Sequence, residues 1–150
     1  MPHSYSNVMV HIVYSTKDRR PFITESIRPD LYAYTIGILN KIDCRTITIG
    51  GASDHIHALV RMSRMVSQAK MVEDMKRGSS RWIKTQGIHF QRFSWQNGYS
   101  IFSVSESQAS RVEAYIDGQE EHHRKITFQD ELRALLKKHN IPFDEKYLWF

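Results

Sequence analysis

The run Asp54-His55-Ile56-His57-Ala58-Leu59-Val60 constrains this chain more than any other stretch. Ile, Leu and Val are dense in it, and Gly50-Gly51 with Ser53-Asp54 reads as a turn feeding a strand. Side chains alternate faces along a strand, so His55 and His57 share one side and Ile56 takes the other. Two residues of strand span about 6.6 Å, which lets two imidazoles converge on one divalent cation. The plain alternative is a pair of histidines on a half-exposed sheet face with no ligand. The pair alone does not choose between the two.

The rest of the chain falls into a series around this strand. Asn7 to Ser15 is β-branched and apolar, a first strand with His11 in its middle, read as a packed or edge histidine rather than a ligand. Thr16 to Pro21 breaks it and gathers Lys17, Arg19 and Arg20, either a solvated turn or a phosphate contact. From Ser26 to Asn40, Leu31, Tyr34, Thr35 and Ile38 recur at helical spacing, with Pro29 in the first turn. Arg45 to Ile49 alternates Ile with Thr and Arg as a half-buried strand, and Gly50-Gly51 links it to the histidine strand.

Ser67 caps a helix running to Lys84, with Met71, Val72, Met75, Ser79 and Trp82 inside. Lys70, Lys76, Arg77, Arg81 and Lys84 face only Glu73 and Asp74, so a phosphate-facing surface and a solvated face are equally good readings. Residues 85–98 form a loop in which Phe90, Arg92, Phe93 and Trp95 either stack on bases or join the core; for Trp95 and Phe102 the core is preferred. Tyr99 to Val104 is a fourth strand. Glu106 to His123 is a helix with Ala109, Val112 and Ile116 buried, and with Tyr115 and Gln119 one turn apart beside them. Gly118 weakens that helix by about 1 kcal/mol relative to Ala. Thr127 caps a last helix packed through Leu132, Leu135 and Leu136. The first strand and the aromatic tail, Ile141 to Phe150, offer apolar surface that one small domain need not bury fully.

This order predicts an α+β chain: a ferredoxin-like β-α-β-β-α-β antiparallel sheet with helices on one face, plus C-terminal helices. With 150 residues and no repeat or linker, residues 1–150 read as one domain. A single cysteine, Cys44, excludes an internal disulfide and fits a reducing cytoplasm; no apolar run is long enough to span a bilayer, and the first residues lack a signal-peptide pattern. The formal charge of +5 permits a nucleic-acid partner without proving one.

Asp54-His55-Ile56-His57, Lys76, Ser79-Ser80, Trp95-Gln96-Asn97-Gly98-Tyr99, Tyr115-Ile116-x-x-Gln119 and His122-His123, in this order, resemble one family over nearly the whole chain. These are the single-tyrosine HUH transposases of small bacterial insertion sequences, including relatives that act on extragenic palindromic repeats. The resemblance implies that His55 and His57 are the metal-binding pair, Gln119 the third ligand and Tyr115 the nucleophile. It implies Mg²⁺ or Mn²⁺ as cofactor and single-stranded DNA with hairpin ends as substrate, cut through a 5′-phosphotyrosine and rejoined. It also implies a homodimer with active sites shared between chains, working on DNA in the bacterial cytoplasm, at the nucleoid. Lys17, Arg19, Lys70, Lys76, Arg77 and Arg81 are the candidate DNA contacts. At Gly118 the family pattern leads one to expect a more polar residue, which puts helix rigidity in doubt.

The chemistry stands beside that likeness. A tyrosine of pKa about 10 is ionised about one part in a thousand at neutral pH, so attack as phenolate needs roughly 4 kcal/mol of help. A cation held by two imidazoles and an amide keeps positions open for a phosphate. The rival reading is a domesticated or inactive DNA- or RNA-binding module on the same fold, which leaves Tyr115 and Gln119 idle. A two-histidine phosphoesterase lacks its paired motifs, and a structural zinc site is disfavoured by the lone Cys44.

Overall fold

A computed structural model describes residues 4–149, so Phe150 of the aromatic tail lies outside the described residues. Four strands form one antiparallel sheet: β1 (Met9–Ser15), β2 (Arg45–Gly51), β3 (His55–Arg61) and β4 (Ser100–Val104), in the order β2-β3-β1-β4. With α1 (Arg28–Lys41) after β1 and α2 (Gln68–Ile83) after β3, this is the ferredoxin-like arrangement the sequence predicts. The C-terminal helices are α3 (Ala109–Asp117), α4 (Gln119–His122) and α5 (Phe128–Lys138). Among the described residues no helix is long and apolar enough to cross a membrane.

Every residue of β1 is buried, because the strand lies between β3 and β4 and is covered on both faces. That is why it reads as an unbroken apolar run. Val10, Ile12 and Tyr14 meet Leu31 and Leu39 of α1 and Met71 and Met75 of α2. On the opposite face Val13 meets Phe102, Phe128, Leu132 and Leu136, and Met9 meets Leu59 and Ile116. The helices therefore cover both faces: α1 and α2 on one side, as expected, and α3 and α5 on the side of His55 and His57.

Both surfaces expected to be left over are used within the chain. β1 is central, and Phe143, Leu148 and Trp149 of the tail pack against the α5 cluster. Trp149 also lies 5.4 Å from the Arg19 guanidinium and 5.3 Å from that of Arg133. The aromatic loop is core as well, with Phe90, Phe93 and Trp95 buried against the α1–α2 layer.

The caps are as read: Ser67 Oγ accepts from the Lys70 amide at 3.1 Å, and Thr127 Oγ1 from the Asp130 amide at 3.2 Å. Two boundaries differ. Gly50 and Gly51 end β2 instead of forming the turn, which falls to residues 52–54. The helix expected over Glu106 to His123 is interrupted. A 3₁₀ turn, Glu106–Gln108, precedes α3, and Gly118 (φ −92°, ψ 12°) breaks the helix before α4.

Candidate active site

Alternation along β3 turns His55 and His57 toward α3–α5, and both are completely buried. Each ring is oriented through its Nδ1. His55 Nδ1 lies 2.7 Å from Asp54 Oδ1, and His57 Nδ1 lies 2.7 Å from His11 Nε2. Both rings thereby aim Nε2 at common space, as outer groups do when they fix metal-ligating histidines. His11 is thus a packed histidine, as read, with the added task of holding His57.

Helices α3 to α5 close the other side of that space. The Tyr115 hydroxyl donates to Glu131 Oε2, and its ring centre lies 5.8 Å from that of His57. Gln119, 1% exposed, places Oε1 3.1 Å from His55 Nε2 and donates from Nε2 to Glu131 Oε2 at 2.9 Å. Glu131 Oε1 lies 2.9 Å from His57 Nε2 and 3.0 Å from His123 Nε2. His55, His57, His123 and Glu131 form a group able to hold a metal ion, their ligand atoms all within 4.8 Å of one another. His55, His57, Tyr115 and Gln119, picked out in the sequence, are thus brought together in one chain.

The electrostatics follow from burial. It lowers the His57 imidazole to about 4 despite the pull of Glu131, and lowers His11 to about 3, helped by His57. Burial raises the Glu131 carboxyl, but hydrogen bonds from His123, His57 and Tyr115 outweigh it and hold the group well below the ordinary range. Burial, then Glu131, pushes the Tyr115 phenol above its ordinary value. The site is thus a buried carboxylate ringed by imidazoles, with an un-ionised tyrosine at its edge.

Sequence reasoning passed over Glu131 and gave His122 and His123 no role. An acid in the first turn of a capped helix looks like ordinary dipole complementation. The signal was its spacing: Phe128, Glu131 and Leu135 stand at i, i+3 and i+7, so the carboxylate shares the buried face.

The candidate DNA contacts are not gathered at this centre. Lys70, Lys76, Arg77 and Arg81 ride on α2, which packs on the opposite face of the sheet. Lys70 pairs with Asp74 at 2.8 Å, and Arg77 pairs with Glu73. The Lys76 ammonium donates to the carbonyls of Gln96 (2.8 Å), Asn97 (3.3 Å) and Gly98 (2.6 Å), and burial lowers it to about 8. Trp95 Nε1 donates to Ser79 Oγ at 3.0 Å, and Gln96 Oε1 accepts from the Ser15 amide. Lys76, Ser79, Trp95 and Gln96 thus fasten α2 to the loop before β4. Lys17 and Arg81 are exposed, while Arg19 is half-buried against Trp149. A cleft of about 790 Å³ opens beside Tyr115, lined by Arg111, Val112, His122, Leu135, Lys138 and His139 among others.

Comparison with known proteins bears on the fold and the family. No curated protein matches the sequence. Among solved structures, a protein of Deinococcus radiodurans R1 assigned as a transposase superposes with a TM-score of 0.63 at 18% identity, covering 79% of this chain and 95% of that one. A REP-associated tyrosine transposase bound to a REP hairpin superposes with a TM-score of 0.62 at 12% identity, covering 96% of this chain and 91% of that one. At these identities the two superpositions show the shared fold. The family model described as transposase IS200-like matches residues 4–119, well over half of the chain and inclusive of His55, His57, Tyr115 and Gln119. The chain belongs to the IS200-like transposase family.

Proposed function

We propose that this protein cuts and rejoins single-stranded DNA beside hairpins, with Tyr115 as nucleophile. One observation carries the reading: Tyr115, His55, His57 and Gln119 converge around a single point within one chain.

The residues fit a divalent cation, because Asp54 and His11 occupy both Nδ1 atoms and leave two Nε2 atoms converging. His55, His57 and the Gln119 amide oxygen would hold Mg²⁺ or Mn²⁺. Such an ion, once bound, polarises the scissile phosphate and stabilises charge on the departing 3′-oxygen. Tyr115 attacks phosphorus: the bond from its phenolic oxygen forms, the bond to the 3′-oxygen breaks, and the phenolic proton is balanced by one taken up at that oxygen. The products are a 5′-phosphotyrosine and a free 3′-hydroxyl, and a later 3′-hydroxyl reverses the step without ATP. Burial, then Glu131, disfavours the phenolate, so Tyr115 is held as the phenol in the DNA-free protein. The cleft beside Tyr115, with Arg111 and Lys138 on its walls, supports approach of a polyanion from that side.

This reading places the protein with DNA in the bacterial cytoplasm. A binding module without chemistry leaves the tyrosine and the histidine cluster unexplained. The working unit has two readings. Tyr115 lies beside the histidines of its own chain, which supports a site complete within one protomer. The break at Gly118 supports a homodimer in which α3 serves the partner's histidines.

The test is incubation with a labelled single-stranded hairpin oligonucleotide and Mg²⁺ or Mn²⁺, followed by denaturing electrophoresis. The expected result is a covalent adduct, lost in Tyr115→Phe while hairpin binding persists. An adduct that persists in Tyr115→Phe removes Tyr115 from the role. Mixing Tyr115→Phe with His57→Ala restores activity if sites are shared, and leaves both silent if each chain uses its own tyrosine.

A further inference from the structure

We infer that in the DNA-free protein the cation is held by four ligands, His55, His57, His123 and Glu131, two of which lie beyond the part of the chain the family model matches. The inference rests on the proposed metal-assisted reading and changes its ligand set and its metal preference.

The first observation is a contact that needs a cation. With Asp54 accepting the Nδ1 proton of His55, a neutral ring turns the Nε2 lone pair toward two oxygens. These are Gln119 Oε1 at 3.1 Å and Glu131 Oε1 at 3.7 Å, all three side chains being buried. Lone pairs facing one another without a positive centre between them repel. A second ring proton or a metal ion resolves the contact.

The second observation is geometric. Glu131 Oε1 stands 2.9, 3.0 and 3.7 Å from Nε2 of His57, His123 and His55. Ligands about 2.0–2.1 Å from a common tetrahedral ion are separated by roughly 3.3 Å; the three spacings bracket that edge, and with all four ligand atoms within 4.8 Å of one another a small inward movement of the imidazoles completes the set. The outer contacts are in place as well, with Asp54 behind His55 and His11 behind His57. The remaining oxygen, Oε2, accepts from Tyr115 and Gln119 and has His122 Nε2 at 3.3 Å, while Oε1 faces His55, His57 and His123.

Three imidazoles and one carboxylate favour Zn²⁺ or another transition ion over Mg²⁺, which prefers oxygen ligands and retained water. A scissile phosphate reaching the ion has to displace at least one of the four, and Glu131 is the ligand in contact with the nucleophile.

The experiment uses metal-stripped full-length protein without DNA, titrated with Co²⁺ and Zn²⁺ and followed by the visible spectrum of Co²⁺ and by calorimetry. The expected result is one ion bound with a tetrahedral Co²⁺ spectrum and little Mg²⁺ competition. His123→Ala and Glu131→Gln each weaken binding by at least about tenfold, as losses around a metal site do. X-ray absorption of the wild-type Zn²⁺ form gives an answer even where a variant fails to fold: three imidazoles support the inference, and two overturn it. Wild-type affinity in folded His123→Ala and Glu131→Gln, or no binding before DNA is added, also overturns it. Adduct formation with any of those results keeps the proposed reaction and discards this ligand set; four-ligand binding with no adduct does the reverse.

Discussion

Replacing Gly50 by alanine isolates the coupling between the sheet and the tyrosine. Gly50 ends β2 opposite His57, and α3 rests directly on it. A Cβ at this position comes within 3.1 Å of the carbonyl carbon and Cγ2 of Ile116, and closer still to the Ile116 carbonyl oxygen. Ordinary contacts lie at about 3.5–4.0 Å, and the carbonyl oxygen is the tightest obstacle, so α3 has to retreat by about 1 Å. The obstacle is backbone, which cannot rotate away. Overpacking of this kind costs about 1–3 kcal/mol of stability. Ile116 follows Tyr115 directly, so the proposed nucleophile moves with it. A misplacement near 1 Å lowers the chemical step by as much as about 10²-fold. The assay is the single-turnover rate of adduct formation on the hairpin oligonucleotide, with hairpin affinity and the melting temperature measured on the same samples. The expected outcome is a tenfold to hundredfold slower step, within that same limit, at near wild-type affinity. Gly37→Ala is the control: no atom lies within 4 Å of its Cβ, so it leaves the rate alone and gains up to about 1 kcal/mol in α1. A folded Gly50→Ala protein with an unchanged rate would refute the placement of Tyr115 by this contact.

Other outcomes follow from the same geometry. His55→Ala and His57→Ala each abolish the adduct, excess chelator does the same to wild type, and full activity in chelator would sink the metal reading. With metal removed, stability falls as pH drops from about 6.5 toward 4, because the unfolded chain then binds protons that buried His57 and His11 refuse, and Glu131 extends the loss downward. His57 alone accounts for about 3 kcal/mol at full extent; denaturant midpoints against pH measure it, and stability rising on acidification contradicts it. On α2, Arg81→Glu reduces the salt dependence of single-strand binding if that face meets phosphates, whereas Lys76→Glu acts on the 96–98 loop that its ammonium holds. An unchanged salt slope in Arg81→Glu returns the face to solvent.

The sequence alone determined the sheet and the motif residues, because those signals are local. A β-branched apolar run over Asn7 to Ser15 and the dense Ile, Leu and Val of Asp54 to Val60 specified two strands, and alternation along the second put His55 and His57 on one face. Ser67 and Thr127 announced their helices, since a cap is a contact over three residues. Tyr115 and Gln119 were legible as a pair from one turn of spacing. Only the tertiary structure decided which layer covers the histidines. That depends on α3 and α5 packing through Ile116, Phe128 and Leu132 onto the face β1 and β3 leave open, an association over more than sixty residues of chain. The same packing makes Glu131 a member of the site. Its carboxylate meets His57 across 74 residues and Tyr115 across 16; spacing from Phe128 marks it as a buried-face position of α5, but which groups lie opposite is set by the packing. It also decided the fate of Lys76 on α2, whose ammonium found three backbone carbonyls 20, 21 and 22 residues away; burial of that contact is a property of the fold, not of the helix.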